Sequence, residues 1–422
     1  MALFARIAAP YREGLQGVDR RVYVVVTMTL LAIAARMSVY TFLGIYFTRD
    51  VGIALSVVGA AYLVENVLRG LIAPVVGALS DRIGRRPVLL ASSLLSAAIL
   101  PLFLFVRTPL ELFLWTAAIG AAQAGAFPTT SALLLDLTPP EKRRAVLGLN
   151  YTMLSIGYTL GVAPAGFLLA YGFTSLALAS ALAQLLVVAV LVLGLRRLPP
   201  PERPETRSSL ASDLARAPRD PAFLLLAALA IVFPLGIGLI ATVAPLYAQD
   251  AGVGTGEIGL ALAVNGPLLA ILSIPVATWL TRHGPYRHLV HSAAFLAASY
   301  LFFVWSGGFA ALILASVVFT AGELVFSSAL PAAIAALAPP GMRGAYQGAW
   351  ALVHSIGFGA AVFLTGIAQP AIGWQATWIL WTLVTMAATV GLLLARPRFR
   401  RLADARAALA SPVSAAAAPE AA

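Results

Sequence analysis

Cysteine is absent from all 422 residues. That excludes disulfides, thiolate metal sites and a cysteine nucleophile. Lysine occurs once, as Lys142, and it follows Glu141 rather than a glycine-rich loop. A phosphate-cradling P-loop needs its lysine after such a loop, so the chain carries no ATPase motif of that kind. No His, Asp and Glu group has metal-ligand spacing, and no nucleophile–base–acid set recurs at one depth. Both absences argue against an enzyme, and no cofactor or metal is expected. Charge is scarce as well: 11% of residues are charged against 60% hydrophobic, and mean hydropathy is +0.91. The stretch 1–17 is polar, is broken by Pro10 and Gly14, and lacks the apolar core of a cleaved signal peptide.

What the chain has instead is a series of apolar runs, each about 20 residues or longer, which is the length that spans a bilayer as helix. The runs are continuously apolar rather than alternating, which favours helices over barrel strands. Twelve are expected, over 22–48, 53–76, 88–106, 110–135, 145–170, 174–195, 221–249, 256–279, 288–306, 309–337, 344–370 and 374–394. The net charge of +11 comes from arginines in short loops on one side of these runs, not from a stripe. It therefore reports topology rather than nucleic-acid binding. One face collects Arg20, Arg21, Arg82, Arg85, Arg86, Lys142, Arg143 and Arg144, and the other has Arg49 and Arg107. That bias places both termini in the cytoplasm.

The proline- and arginine-rich stretch 196–220 reads as a cytoplasmic linker. The organisation expected is a cytoplasmic amino-terminal segment 1–21, a six-helix bundle 22–195, the linker, a second bundle 221–394, and a tail 395–422, poorly ordered after Arg401. A shift of 200 residues supports two copies. It sets Asp50 on Asp250, Gly59 on Gly259, Arg82 on Arg282, Pro139 and Pro140 on Pro339 and Pro340, Arg143 on Arg343, and Gly166 on Gly366.

Between the second and third runs lies Gly77-Ala-Leu-Ser-Asp81-Arg82-Ile-Gly84-Arg85-Arg86-Pro87. So polar a stretch cannot lie in hydrocarbon and is expected as a tight loop at the membrane surface. Its pattern resembles the signature loop between helices two and three of the major facilitator superfamily of secondary transporters. In the second copy the pattern has decayed, with Thr281 for Asp81 and Tyr286 for Arg86. The resemblance spans about 20 to 395. It implies an all-α integral membrane fold of two pseudo-symmetric six-helix bundles, working by alternating access. It also implies that Asp81 faces the amino-terminal end of a helix in the other half, here the helix beginning near Gly344, as a gating latch.

Charge at membrane depth is costly and points to function. Arg36, Glu65, Arg69 and Glu323 fall within the runs. The 200-residue offset pairs Glu65 with Asn265 and Glu323 with Gln123, one acid and one amide each time. Arg36 and Glu65 lie mid-span on consecutive antiparallel helices, so an ion pair between them is expected, either fixed or opened by a proton or an anionic substrate. Arg69 is one turn from Glu65. Glu323 is a lone carboxyl whose charge burial disfavours. It reads as a proton-coupling group or as a protonated hydrogen-bond donor between helices. In the resembling family, helices 1, 4, 7 and 10 line the cavity, which assigns Tyr40, Phe42, Phe127, Phe233, Phe319 and Phe326 to its wall. His354 is a possible relay or a structural hydrogen-bonding group.

The segment Gly157-Tyr-Thr-Leu-Gly161-Val-Ala-Pro164-Ala-Gly166 is similar to the antiporter signature of drug:proton exchangers, and also suits tight helix packing. It departs from that signature because Val162 follows Gly161 where proline is usual. Ala121 stands where those exchangers carry arginine. Together these readings describe a multi-pass protein of the cell (inner or plasma) membrane, functional as a monomer within the lipid bilayer. Its partners are protons and a small-molecule substrate, and its work is proton-coupled efflux of amphipathic or drug-like compounds. Transport of a small metabolite (a sugar, organic acid or amino acid) and a non-transporting receptor or scaffold are the alternatives.

Overall fold

A computed structural model describes residues 15–196, 219–280, 284–339 and 342–409. Most of the expected amino-terminal segment and linker, Thr281, Arg282, Pro340 and the chain beyond 409 lie outside the described residues. Among the described residues there is no β-strand. The long helices are α1 (Arg20–Asp50), α2 (Leu55–Ile83), α3 (Arg85–Phe105), α4 (Pro109–Asp136), α5 (Ala145–Leu169), α6 (Phe173–Gly194), α7 (Pro221–Asp250), α8 (Thr255–Ser273), α9 (Pro285–Trp305) and α10 (Phe309–Leu337). The final element, Arg343–Leu409, runs 67 residues and breaks at Gly373, where φ is 76° and the backbone leaves helical space. Its two arms are α11 (343–372) and α12 (374–409). Taken as one element, it brings to eleven the described helices long and apolar enough to cross a membrane. The twelve expected spans thus appear as eleven continuous elements, because the turn at Gly373 is a single residue.

The helix ends follow from local chemistry. Asp19 caps α1 by accepting from the Arg21 N–H at 2.8 Å, and Asp220 caps α7 by accepting from Ala222 at 2.9 Å. Thr108 and Glu111 form a reciprocal capping box at the start of α4. Large apolar side chains such as Leu182, Trp305 and Leu394 stay exposed around the outside. Such a surface suits lipid, where backbone polar groups are already satisfied inside each helix.

Two expectations are corrected. The signature stretch 77–87 is not a loop. Helix α2 continues through Ile83, only Gly84 leaves helical space (φ 99°, ψ 156°), and α3 starts at Arg85. Polar residues need only leave the hydrocarbon, and a helix that projects past it satisfies them without unwinding. The tail is the second correction. It is helical through Leu409 rather than unstructured after Arg401. Phe399 is buried and stacks on Tyr286, and Arg406 donates to the Leu337 carbonyl and to Asp220.

The two copies meet in a two-fold pattern. A Cβ on Gly59 of α2 would collide with the backbone of Phe363 in α11, and one on Gly259 of α8 would press on Val162 and Ala163 of α5. Adding or subtracting 200 turns the first contact into the second. Gly166 of α5 sits likewise against Thr255 of α8, and Gly366 of α11 against Leu55 and Ser56 of α2. These contacts lie at the end of the bundle away from the termini. Arg49 pairs there with Asp250, which also accepts from the Trp374 indole N–H at 2.9 Å. Toward the terminal end the halves part. At Gly70 the neighbours are the Leu352 and Ser355 side chains, and at Gly77 and Gly344 nothing described lies within 4 Å of a Cβ. Among the described residues the bundle is closed at its far end and open at its terminal end.

Candidate functional site

Two adjoining cavities lie inside the bundle. The first, about 240 Å³, is lined from α1 by Arg36 and Tyr40, from α5 by Tyr151 and Tyr158, from α8 by Asn265 and from α10 by Phe319 and Glu323. The second, about 370 Å³, lies mostly within the first half and is lined by Arg36, Arg69, Gln123, Phe127, Asn150, Gln184 and His354, among others. Arg36 faces both.

The carboxylate of Glu65 is fully buried between two guanidiniums, 3.6 Å from Arg36 and 3.5 Å from Arg69. Neither of its oxygens has a hydrogen bond. Arg69 donates to the Asn66 amide oxygen, and Arg36 lies over the Tyr40 ring, 4.8 Å from its centroid. Helix α4 presses on this site, since a Cβ on Gly120 would meet the Glu65 carbonyl at 2.6 Å. Short-range packing thus seals the acid away from the cavity while both cations reach it.

Glu323 stands in a different setting. The Asn265 side-chain amide donates to Glu323 at 2.8 Å and to the Thr320 hydroxyl at 2.9 Å. No described cation lies within ion-pair distance of it, and its carboxyl borders the first cavity. Asn265 is the residue that the 200-residue offset sets on Glu65, so the position that holds an acid in the first half holds, in the second, the amide that binds Glu323.

The remaining candidates divide. Tyr40, Phe319 and Asn265 line the first cavity, and Gln123 and Phe127 the second. Phe127 is 66% exposed, and its place in the cavity wall accounts for that. Phe233 and Phe326 line neither cavity. They stack face to face at 3.9 Å, and Phe233 is buried with Phe319 beside it. Phe42 is fully buried. Gly157 and Gly161 let α5 approach the Leu30 and Ala34 carbonyls of α1, whereas Gly166 makes the contact to α8 across the halves; Pro164 lies within α5. At the signature turn, Gly77 stands in open space, Arg85 pairs with Asp81 and, at 3.0 Å, with Asp136 of α4. Arg86 reaches the Val192 carbonyl at 3.4 Å, and Arg82 is in the last turn of α2. Sequence reasoning passed over Tyr151, Tyr158, Asn150 and Gln184. Their one signal is polarity inside otherwise apolar helices.

The family model described as Major Facilitator Superfamily matches residues 25–266 and 226–418. The chain is similar to the multidrug resistance protein MdtH of Proteus mirabilis, 25% identical over 348 residues, covering 82% of this chain and 85% of that one. A Na(+), Li(+), K(+)/H(+) antiporter of Planococcus maritimus is 24% identical over 352 residues, with 76% and 82% covered. Among solved structures, the nucleoside transporter NupG superposes with a TM-score of 0.71 at 14% identity, covering 89% of this chain and 99% of that one. A peptide transporter POT in complex with sulfate reaches 0.75 at 17% identity, with 92% and 96% covered. At such identities the structures speak for the fold alone.

Proposed function

This chain belongs to the major facilitator superfamily, a multi-pass membrane transporter rather than an enzyme, and on that premise we propose that it exports small amphipathic compounds in exchange for protons. The observation that carries the reading is Glu323: a carboxyl without an ionic partner among the described residues, on the wall of a cavity shared by both halves. A proton and a cationic part of a substrate compete for one such carboxylate, so a proton gradient drives the substrate the other way. The open terminal end faces the cytoplasm in this reading, in keeping with the arginines gathered there. The relationship to MdtH supports a drug-like cargo.

A second reading is exchange of an alkali cation for protons. Beside the name of the Planococcus relative, it is supported by the oxygens of Ser316, Thr320 and Glu323 gathered on one face of α10. Purified protein in liposomes, tested with amphipathic cations and with sodium, with and without an imposed pH gradient, separates the two. Gradient-dependent movement of the organic cations supports the first reading. Movement of sodium alone supports the second, and movement of neither with an intact, sealed protein contradicts both.

A further inference from the structure

The second cavity has an unbalanced charge. Two guanidiniums, Arg36 and Arg69, line it, and no described Asp or Glu does. Their one described carboxylate partner, Glu65, is fully buried behind them, and its two contacts, at 3.5 and 3.6 Å, lie beyond hydrogen-bonding geometry. Two cations against one anion leave one positive charge at membrane depth, where an uncompensated charge is costly. The Arg36 Nε is buried without a hydrogen-bond partner. Around this charge the wall is mixed: Ser92, Ser93 and Ser96 of α3 offer hydroxyls, and Phe127 and Phe358 offer aromatic surface.

We propose that this cavity binds an organic monoanion, an aromatic carboxylate, with its carboxylate on Arg69 and Arg36 and its ring against Phe127 and Phe358. One negative charge neutralises the surplus, and a flat carboxylate suits a guanidinium fork. The hydroxyls of α3 serve the remaining lone pairs. The proposal goes beyond the transport reading: it adds an anion site beside the Glu323 cavity and leaves the cationic cargo of that reading in place. The binding itself requires no gradient.

The test is equilibrium dialysis of the purified full chain in detergent with 2-naphthoate, 2-naphthol and 2-naphthylmethylammonium, three molecules of one ring and different charge. Saturable binding is expected for the carboxylate, at least tenfold tighter than for the alcohol, whereas the ammonium, a cation of the kind proposed for Glu323, should bind independently of Arg69. Arg69→Gln leaves a neutral Arg36–Glu65 pair. It should therefore keep its fold, shown by an undiminished thermal midpoint, and weaken naphthoate binding at least tenfold. Arg69→Lys keeps the charge and should retain binding within about tenfold of wild type. Glu65→Gln releases both guanidiniums and should tighten binding, whereas a purely structural trio would not bind more tightly when its acid is lost. Equal binding of the carboxylate and the alcohol, or undiminished naphthoate binding in a folded Arg69→Gln protein, overturns the proposal. If naphthoate does not bind while organic cations still move with the proton gradient, this inference alone fails. If it binds and nothing is transported, the transport reading alone fails.

Discussion

The two halves share one architecture and differ in where they keep their charge. In the first, the mid-depth acid Glu65 is shut between Arg36 and Arg69 with no access to the cavity. In the second, the Asn265 amide is the one described partner of Glu323, which borders the cavity. The terminal ends each pair acid with arginine but use different elements to do it. The first half gathers Asp81, Arg85 and Asp136 at the signature turn. The second brings Asp220, Tyr346 and Arg406 together through the extension of α12. The two acids do not occupy matched positions, since the 200-residue offset sets Glu65 on Asn265 and Glu323 on Gln123; guanidiniums flank the first and an amide holds the second, which in the proposed mechanism leaves Glu323 to exchange a proton.

The largest expected effect breaks this comparison on the structural side. Glu65→Gln removes the one described acid facing two half-buried guanidiniums, and losing one partner of a buried ion pair typically costs about 3–5 kcal/mol. Thermal unfolding in detergent should show that loss, and Arg36→Gln combined with Glu65→Gln should recover part of it. Additive losses would mean that Arg36 and Glu65 do not act as a pair.

A smaller effect concerns the second half's terminal end. Burial works against the charge of Asp220, but hydrogen bonds from Tyr346 and Arg406 outweigh it and hold its carboxyl below the ordinary carboxylate range. A depressed folded-state value contributes stability above the unfolded value, and that contribution is lost as pH falls through the folded one. Arg406→Gln should cost about 1.5–3 kcal/mol at neutral pH, as hydrogen bonds to charged groups do. The cost should shrink in acid, below the ordinary carboxylate range. A pH-independent cost would place the role of Arg406 at the Leu337 carbonyl instead.

The smallest change in stability is expected at Asp81. If Asp81 acts as a latch toward the start of α11 when the terminal end closes, Asp81→Asn shifts the population toward the open state and slows turnover several-fold. The chain has no cysteine, so single cysteines introduced along the terminal end report accessibility without background. Unchanged labelling in Asp81→Asn removes the latch and leaves the Arg85 bridge as a fixed brace.

Much of the fold could be read from hydropathy and the 200-residue repeat, because spanning a bilayer demands long apolar helices and duplication leaves matched Gly and Pro. Where helices end was harder to read. Composition marks the edge of the hydrocarbon, not the end of hydrogen bonding, so α2 runs through the polar signature to Gly84 and α12 runs on to Leu409. The closeness of Arg36 and Glu65 was readable because consecutive antiparallel helices are neighbours. The Asn265–Glu323 contact was not, since it joins α8 to α10 and depends on packing. Phe233 and Phe326 show the same limit. They lie on helices assigned to the cavity wall, but which face of a uniformly apolar helix turns inward leaves no periodic trace.

The claim that the two acids differ in kind is tested most directly by proton release. Substrate is added to purified protein in weak buffer with a pH-sensitive dye, using a compound that the liposome assay shows to move. The account predicts that wild type and the Arg36→Gln/Glu65→Gln double variant release a proton on binding. Glu323→Gln, which keeps the side chain's shape, should bind without release. Undiminished release from a folded Glu323→Gln protein would contradict the account and move the exchangeable proton to another group.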